Sequence, residues 1–292
     1  MLRSVLSLVV ALCILAGTAT TLAGDETSTT LYVPEIYTDY CEAYREAAAR
    51  RQMLLIYFHR SQPAGTTDTF ESKVLLAPAL RSQLENYVVA KLPVTATSGI
   101  GEQPVRLLSH PAFSEMLGLP GVAIIDLAHV NSRHYGHVVS VFPFKAGRQL
   151  GQRELGAMLD LPPGSLTQRT LIFAVRIHPE RPASVEGRFS TLLASESEKH
   201  SRYQAALGVQ GHHNWDQRFQ SISARIGMPA QEVCAESWPG QDLVEAALEC
   251  VDSWRQSPGH WNALRSRAAW FGFDMKRGRN GIWYGTGIFA RH

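Results

Sequence analysis

Met53-Leu54-Leu55-Ile56-Tyr57-Phe58 is a continuous apolar run of strand length, and its flanks set the fold class. Upstream, Asp39 reads as the cap of a helix reaching Arg51, with its alanines and Tyr44 forming one small apolar face. Downstream comes a loop holding Pro63, Gly65, Thr66 and Thr67, then a stretch over 70–85 with partly helical spacing at Val74, Leu75 and Leu84. Further strands are expected at 87–92, at 121–126 directly after Leu119-Pro120, and at 138–142. Strands that alternate with helices imply an α/β sandwich around a central sheet.

The 292 residues allow two domains of ordinary size. The chain is 45% hydrophobic and 18% charged, so both halves can bury a core. A net charge of +2 is too small to argue for nucleic acid or an anionic membrane surface. Residues 1–23 read as a secretory signal: Arg3 is the positive start, 5–16 is an apolar stretch short for a membrane span, and Thr21-Leu22-Ala23 offers the cleavage site. Cys13 follows Leu12, where a lipid anchor would want a small residue. The expectation is an exported protein, secreted or periplasmic, with no transmembrane segment in the mature chain. Cys41, Cys234 and Cys250 then remain. Three is odd, so at least one thiol stays free or pairs between chains, and Cys234 with Cys250 is the expected disulfide. The alternative is three buried thiols acting as small hydrophobes.

Leu161-Pro162-Pro163-Gly164 ends a helical stretch and marks a boundary. Residues 171–176 read as a short strand, and two prolines follow at Pro179 and Pro182. Residues 161–184 are therefore expected to be a linker. Beyond it, 190–206 and a stretch ending at Ile226-Gly227 are helix candidates. The clearest element is 242–256, where Leu243, Ala246, Ala247, Cys250, Val251 and Trp254 repeat at helical spacing. Asp242 and Glu245 form its capping box, and Ser257-Pro258-Gly259 is expected to stop it. The chain closes in a hairpin, 271–275 against 282–286, across a turn with Gly278 and Asn280-Gly281.

Two resemblances follow. Residues 32–160 resemble the thioredoxin-like superfamily: helix, strand ending in Tyr57-Phe58, loop, helix, strand, then Pro120 where that family keeps a cis-proline. The family's redox chemistry needs Cys-x-x-Cys after the first strand. This chain has His59-Arg60-Ser61-Gln62-Pro63-Ala64-Gly65 there, and Cys41 alone cannot supply the couple. The expected domain is redox-inert. Trp254-Arg255-Gln256-Ser257-Pro258-Gly259-His260-Trp261-Asn262 resembles the most specific motif of the CAP superfamily, or SCP-like proteins, in its bacterial form. Ala235-Glu236-Ser237 resembles that family's Glu-Asn-Ile element, and His200-Ser201 and Gly211-His212 its two early histidine positions. The resemblance covers about the last 100 residues and implies an α-β-α sandwich over 185–292 with a cleft.

Carried over by position, the cleft histidines are His212, with His213 as rival, and His260; the acid is Glu236. Glu236 and His260 are the catalytic candidates. His212, His213, Trp238 and Trp261 are the binding candidates, and His212 and His260 the metal ligands. A second family glutamate is Ser257 here, and the family asparagine is Ser237. Two imidazoles and a carboxylate from separated segments suit a divalent metal such as zinc, with open positions for water. Three functions compete. The first is an exported binding or interaction protein for an extracytoplasmic ligand or protein, its cleft taking a metal, a small apolar molecule or a glycan. The second is a metal-assisted hydrolase acting on peptide or cell-wall material. The third is a thiol oxidoreductase, for which the cysteines are lacking. The missing glutamate and the lack of a nucleophile motif favour the first.

Overall fold

A computed structural model describes residues 34–60, 68–98 and 105–291. The signal segment 1–23 with Cys13, and the loop residues 61–65 that stand in place of the cysteine pair, lie outside the described residues. The described residues belong to one compact unit running from Tyr32 to His292. The architecture is mixed α/β with three sheets.

The first half runs β1 (Ile36–Tyr37), α1 (Tyr40–Arg50), β2 (Met53–His59), α2 (Arg81–Leu84), β3 (Tyr87–Pro93), β4 (Thr97–Ser98), β5 (Val105–Arg106), β6 (Gly121–Ile125), β7 (Val138–Pro143) and α3 (Gln152–Leu159). Asp39 does cap α1, its carboxylate accepting the Glu42 N–H at 2.8 Å. The central sheet has the order β1-β3-β2-β6-β7. β2 pairs parallel with β3 and antiparallel with β6, so it lies inside the sheet, as its unbroken apolar run requires. All of Met53–Phe58 is buried. Pro120 precedes β6 as expected, but no described peptide bond is cis.

The second half runs α4 (Leu166–Ile177), β8 (Arg188–Phe189), α5 (Thr191–Leu207), α6 (Trp215–Ile226), β9 (Ala230–Glu236), α7 (Leu243–Gln256), α8 (Pro258–Arg265), β10 (Trp270–Arg277) and β11 (Trp283–Ala290). Its sheet has the order β8-β10-β11-β9. Helix α5 packs on one face, and α4 and α7 pack on the other. Gly272 lets α5 lie this close: a Cβ there would stand 2.1 Å from the Ala194 nitrogen.

Two expectations change here. The strand expected at 171–176 and the linker expected over 161–184 give way to α4, whose residues Gln168–Val175 are all buried. Ser165 and Gln168 cap its start reciprocally. The apolar run Leu171-Ile172-Phe173-Ala174-Val175 looks like a strand because both sides of it are covered. Phe173 meets Phe142 of β7 in an edge contact at 5.9 Å, while Leu171 faces Gly285 of β11. A helix buried all round loses its periodic signature. Likewise, Ser257-Pro258-Gly259 ends α7 but also opens α8, with Pro258 in the first turn where its missing N–H costs nothing.

Candidate functional site

Helix α5 fixes the loop that carries the first histidine. Gln204 Oε1 accepts the Gly211 N–H at 3.0 Å, and His200 Nε2 donates to the Gly211 carbonyl at 2.8 Å. Both peptide groups of Gly211 are thus held from one helix. His212 follows directly and turns outward, its side chain 40% exposed. On the other side, α8 follows α7 and carries His260 in its first turn. The two rings meet: His212 Nε2 and His260 Nε2 are 3.1 Å apart.

The carboxylate behind His212 is Glu232 of β9, not the expected Glu236. Glu232 Oε1 lies 3.0 Å from His212 Nδ1. Arg218 of α6 grips the same carboxylate through both terminal nitrogens, at 2.5 and 2.7 Å. Burial pushes the Glu232 carboxyl up, but the hydrogen bonds from His212 and Arg218 outweigh it and hold the group below its usual range. An ionised Glu232 only accepts hydrogen bonds, so His212 Nδ1 is the donor and Nε2 is the atom turned toward His260. Burial, then the neighbouring His212, holds His260 below its ordinary value, with Glu232 pulling the other way.

The other expected residues stand elsewhere. Glu236 ends β9, exposed, and makes no hydrogen bond or ion pair among the described residues. Positions 232, 234 and 236 share one face of the strand, so the expected element has the right face and the wrong carboxylate. His213 packs on the rings of Tyr203 and His200, with Nε2 3.3 Å from the Val209 carbonyl. Trp261 is buried against His178, with Nε1 donating to Glu180 at 3.2 Å, so it is core rather than cleft. Trp238 is 67% exposed on the loop after β9.

The expected Cys234–Cys250 disulfide is absent; Cys41, Cys234 and Cys250 are all free thiols. The sheet itself separates the pair. Cys234 lies on the α5 face, 3.7 Å from His212 Nδ1, while Cys250 of α7 packs on Gly285 from the opposite face. Burial pushes the Cys250 thiol up to about 12 and the Cys234 thiol well above its usual value, Glu232 adding to the latter. Both behave as inert core groups.

His200, Glu232 and Cys234 also bring three ligand-type atoms within 4.8 Å of one another, all buried. The chemistry of this trio is already committed. His200 Nε2 donates to Gly211, Glu232 is taken by Arg218 and His212, and Cys234 is held as a thiol. It is the polar floor under His212. The His212–His260 pair, by contrast, suits a metal. Two imidazoles on one zinc place their nitrogens roughly 3–4 Å apart, and ligating histidines characteristically donate their other N–H to a carboxylate. Sequence reading missed Glu232, the carboxylate that Arg218 was expected to find in the fold; the alternation Glu232-Val233-Cys234-Ala235-Glu236 was the available signal for a strand.

No protein-family model matches the chain, and no curated protein does either. Among the described residues, no helix is long and apolar enough to cross a membrane.

Proposed function

We propose that the chain is an exported binding protein whose working site is the His212–His260 pair, a divalent-metal site with open positions for a ligand. The observation that carries this is the 3.1 Å approach of two imidazole nitrogens, one with its tautomer set by Glu232. Bound there, a divalent ion would offer Lewis-acid coordination to a ligand oxygen. The protein's part is positional: Gly211 is clamped by α5, His212 is oriented by Glu232, and Arg218 keeps Glu232 ionised.

Support for a CAP-like second half is its layering, α5 on one face of the sheet and α4 with α7 on the other, with His260 just past the α7 end. Support for a redox-inert, thioredoxin-like docking module in the first half is the five-stranded sheet with Pro120 before β6 and Cys41 as its one described thiol. The trans bond at Pro120 departs from that family's pattern. Export rests on the signal-like residues 1–23. Binding is preferred to hydrolysis because Glu232 is fully committed to Arg218 and His212, and Glu236 touches neither histidine.

The test is a zinc titration by calorimetry. One zinc per chain is expected, with affinity falling at least ~10-fold in His212→Ala and in His260→Ala. Binding that survives both substitutions would sink the assignment.

A further inference from the structure

A cavity of about 330 Å³ lies at the end of the five-stranded sheet where β2 and β3 begin, lined by the first half and by Arg169 of α4. It shares no residue with the histidine pair or its polar floor. Met53, Tyr87, Leu159 and Leu161, all buried, give it an apolar wall.

Two polar groups on this cavity are left unanswered by the fold. The first is Gln52. Its Nε2 donates to the Glu85 carbonyl at 2.6 Å, which fixes the other amide atom as the oxygen. That Oε1 is buried and has no donor among the described residues. A buried acceptor without a donor is costly, and a ligand N–H would satisfy it.

The second is Arg169, which is 1% exposed. Its guanidinium donates to Ser140 Oγ at 2.9 Å and to the Leu161 and Pro162 carbonyls at 2.8 and 2.9 Å. All of these are neutral oxygens, and Arg169 forms no ion pair among the described residues. Its hydrogen bonds are met while its charge is not. Asp126, also buried, is spent on the N–H groups of Ala128 and His129 and on the His129 ring. Burial pulls the Arg169 guanidinium below its ordinary value, with Tyr87 and then Asp126 pulling the other way. An anion in the cavity would relieve that cost.

The mouth adds charge of both signs. Arg51 is exposed there, and its side chain has no hydrogen bond or ion pair among the described residues. Asp160 is the one carboxylate among the described lining residues. Its Oδ2 takes Arg176 at 3.0 Å, which leaves Oδ1.

We propose that this cavity binds a free α-amino acid with an apolar side chain. The carboxylate pairs with Arg51 and lies in the field of Arg169. The ammonium donates to Gln52 Oε1 and Asp160, and the side chain rests on Met53 and Leu159. A ligand of a single charge would meet only half of this set. The volume matches the lower end of small-molecule sites, roughly 300–1,000 Å³.

The test is calorimetry on the whole protein with L-leucine, leucinamide and N-acetyl-leucine. Leucinamide lacks the carboxylate and stands for a peptide N-terminus; N-acetyl-leucine lacks the ammonium and stands for a peptide C-terminus. Leucine is expected to bind, and each analogue at least ~10-fold more weakly. Arg51→Gln, at an exposed residue, is expected to weaken leucine about 10-fold. Gln52→Met removes the unanswered acceptor with little change of shape and is expected to cost a similar factor. Circular dichroism checks that both variants are folded. The proposal is overturned if leucine does not bind at ~5 mM, if either analogue matches leucine, or if leucine affinity is unchanged in Arg51→Gln or in a folded Gln52→Met.

Discussion

The two large sheets bury different chemistry. In the five-stranded sheet, the buried side chains of β2, β3 and β6 are apolar or tyrosine. In the four-stranded sheet, β9, β10 and β11 bury Glu232, Cys234, Asp274 and Thr286, and α5 adds His200, Ser201 and Gln204 above them. Those polar groups are satisfied: Ser201 Oγ donates to the Asp274 carbonyl at 2.9 Å, and Gln204 Nε2 donates to Thr286 Oγ1 at 2.9 Å. A polar layer inside a core stabilises less than an apolar one, yet fixes direction as well as distance. The first sheet is built for stability; the second holds a histidine at a set angle.

The sharpest way to break that contrast is to injure each sheet separately. Phe58→Ala removes a fully buried ring that meets Phe113 edge-on at 5.6 Å, and about 4 kcal/mol of stability is expected to go. Denaturant unfolding measures the loss, and zinc affinity at the histidine pair should not move. Glu232→Gln should do the reverse in kind. About 3 kcal/mol is expected to be lost because the Arg218 charge is left without its carboxylate, and zinc affinity should fall roughly 10–100-fold as His212 loses its orienting partner. If Glu232→Gln leaves metal affinity untouched, the polar floor has no role in the site.

A smaller effect lies where the halves join. Lys145 and Arg148 from the first half meet Asp242 at the start of α7, at 2.5 and 2.8 Å. Burial pushes the Asp242 carboxyl up, but Arg148 and Lys145 dominate and bring it from an ordinary 3.8 down to about 2. The stabilisation is complete above about pH 4 and drains away as the pH falls through 2, amounting to on the order of 2 kcal/mol. In Asp242→Asn the acid branch of the stability–pH curve should flatten by that amount. The smallest effect tests the thiols. With Cys234 and Cys250 on opposite faces of the sheet, a phosphine reductant should shift the melting temperature by less than about 1 °C; a large drop would mean a bridge exists.

The strands of the first half were legible because an apolar run of strand length between turn residues has few other readings, and β2, β3, β6 and β7 form where the runs at 53–58, 87–92, 121–126 and 138–142 place them. The closing hairpin was legible from Gly278 and Asn280-Gly281. Helix α4 was not, because burial on every side erased its period. In the site, the two histidines could be named from a motif and Arg218 as the partner of some carboxylate, whereas Glu232 as that carboxylate could not. Their partnership depends on β9 and α6 being brought side by side, and nothing in local spacing records that. The cysteine pairing failed for the same reason: sequence separation says nothing about which face of a sheet a thiol occupies.

Helix α4 has one further consequence, for the order in which the chain is made. It packs on β7, which precedes it, and on α7 and β10, which follow it. The ribosome adds roughly 5–20 residues per second, so α4 emerges several seconds before β10 exists to cover it. During that interval the Leu171 side of the helix is a bare apolar surface on a half-made protein. The nascent first half must be shielded, or held uncollapsed, until the last hairpin has been synthesised.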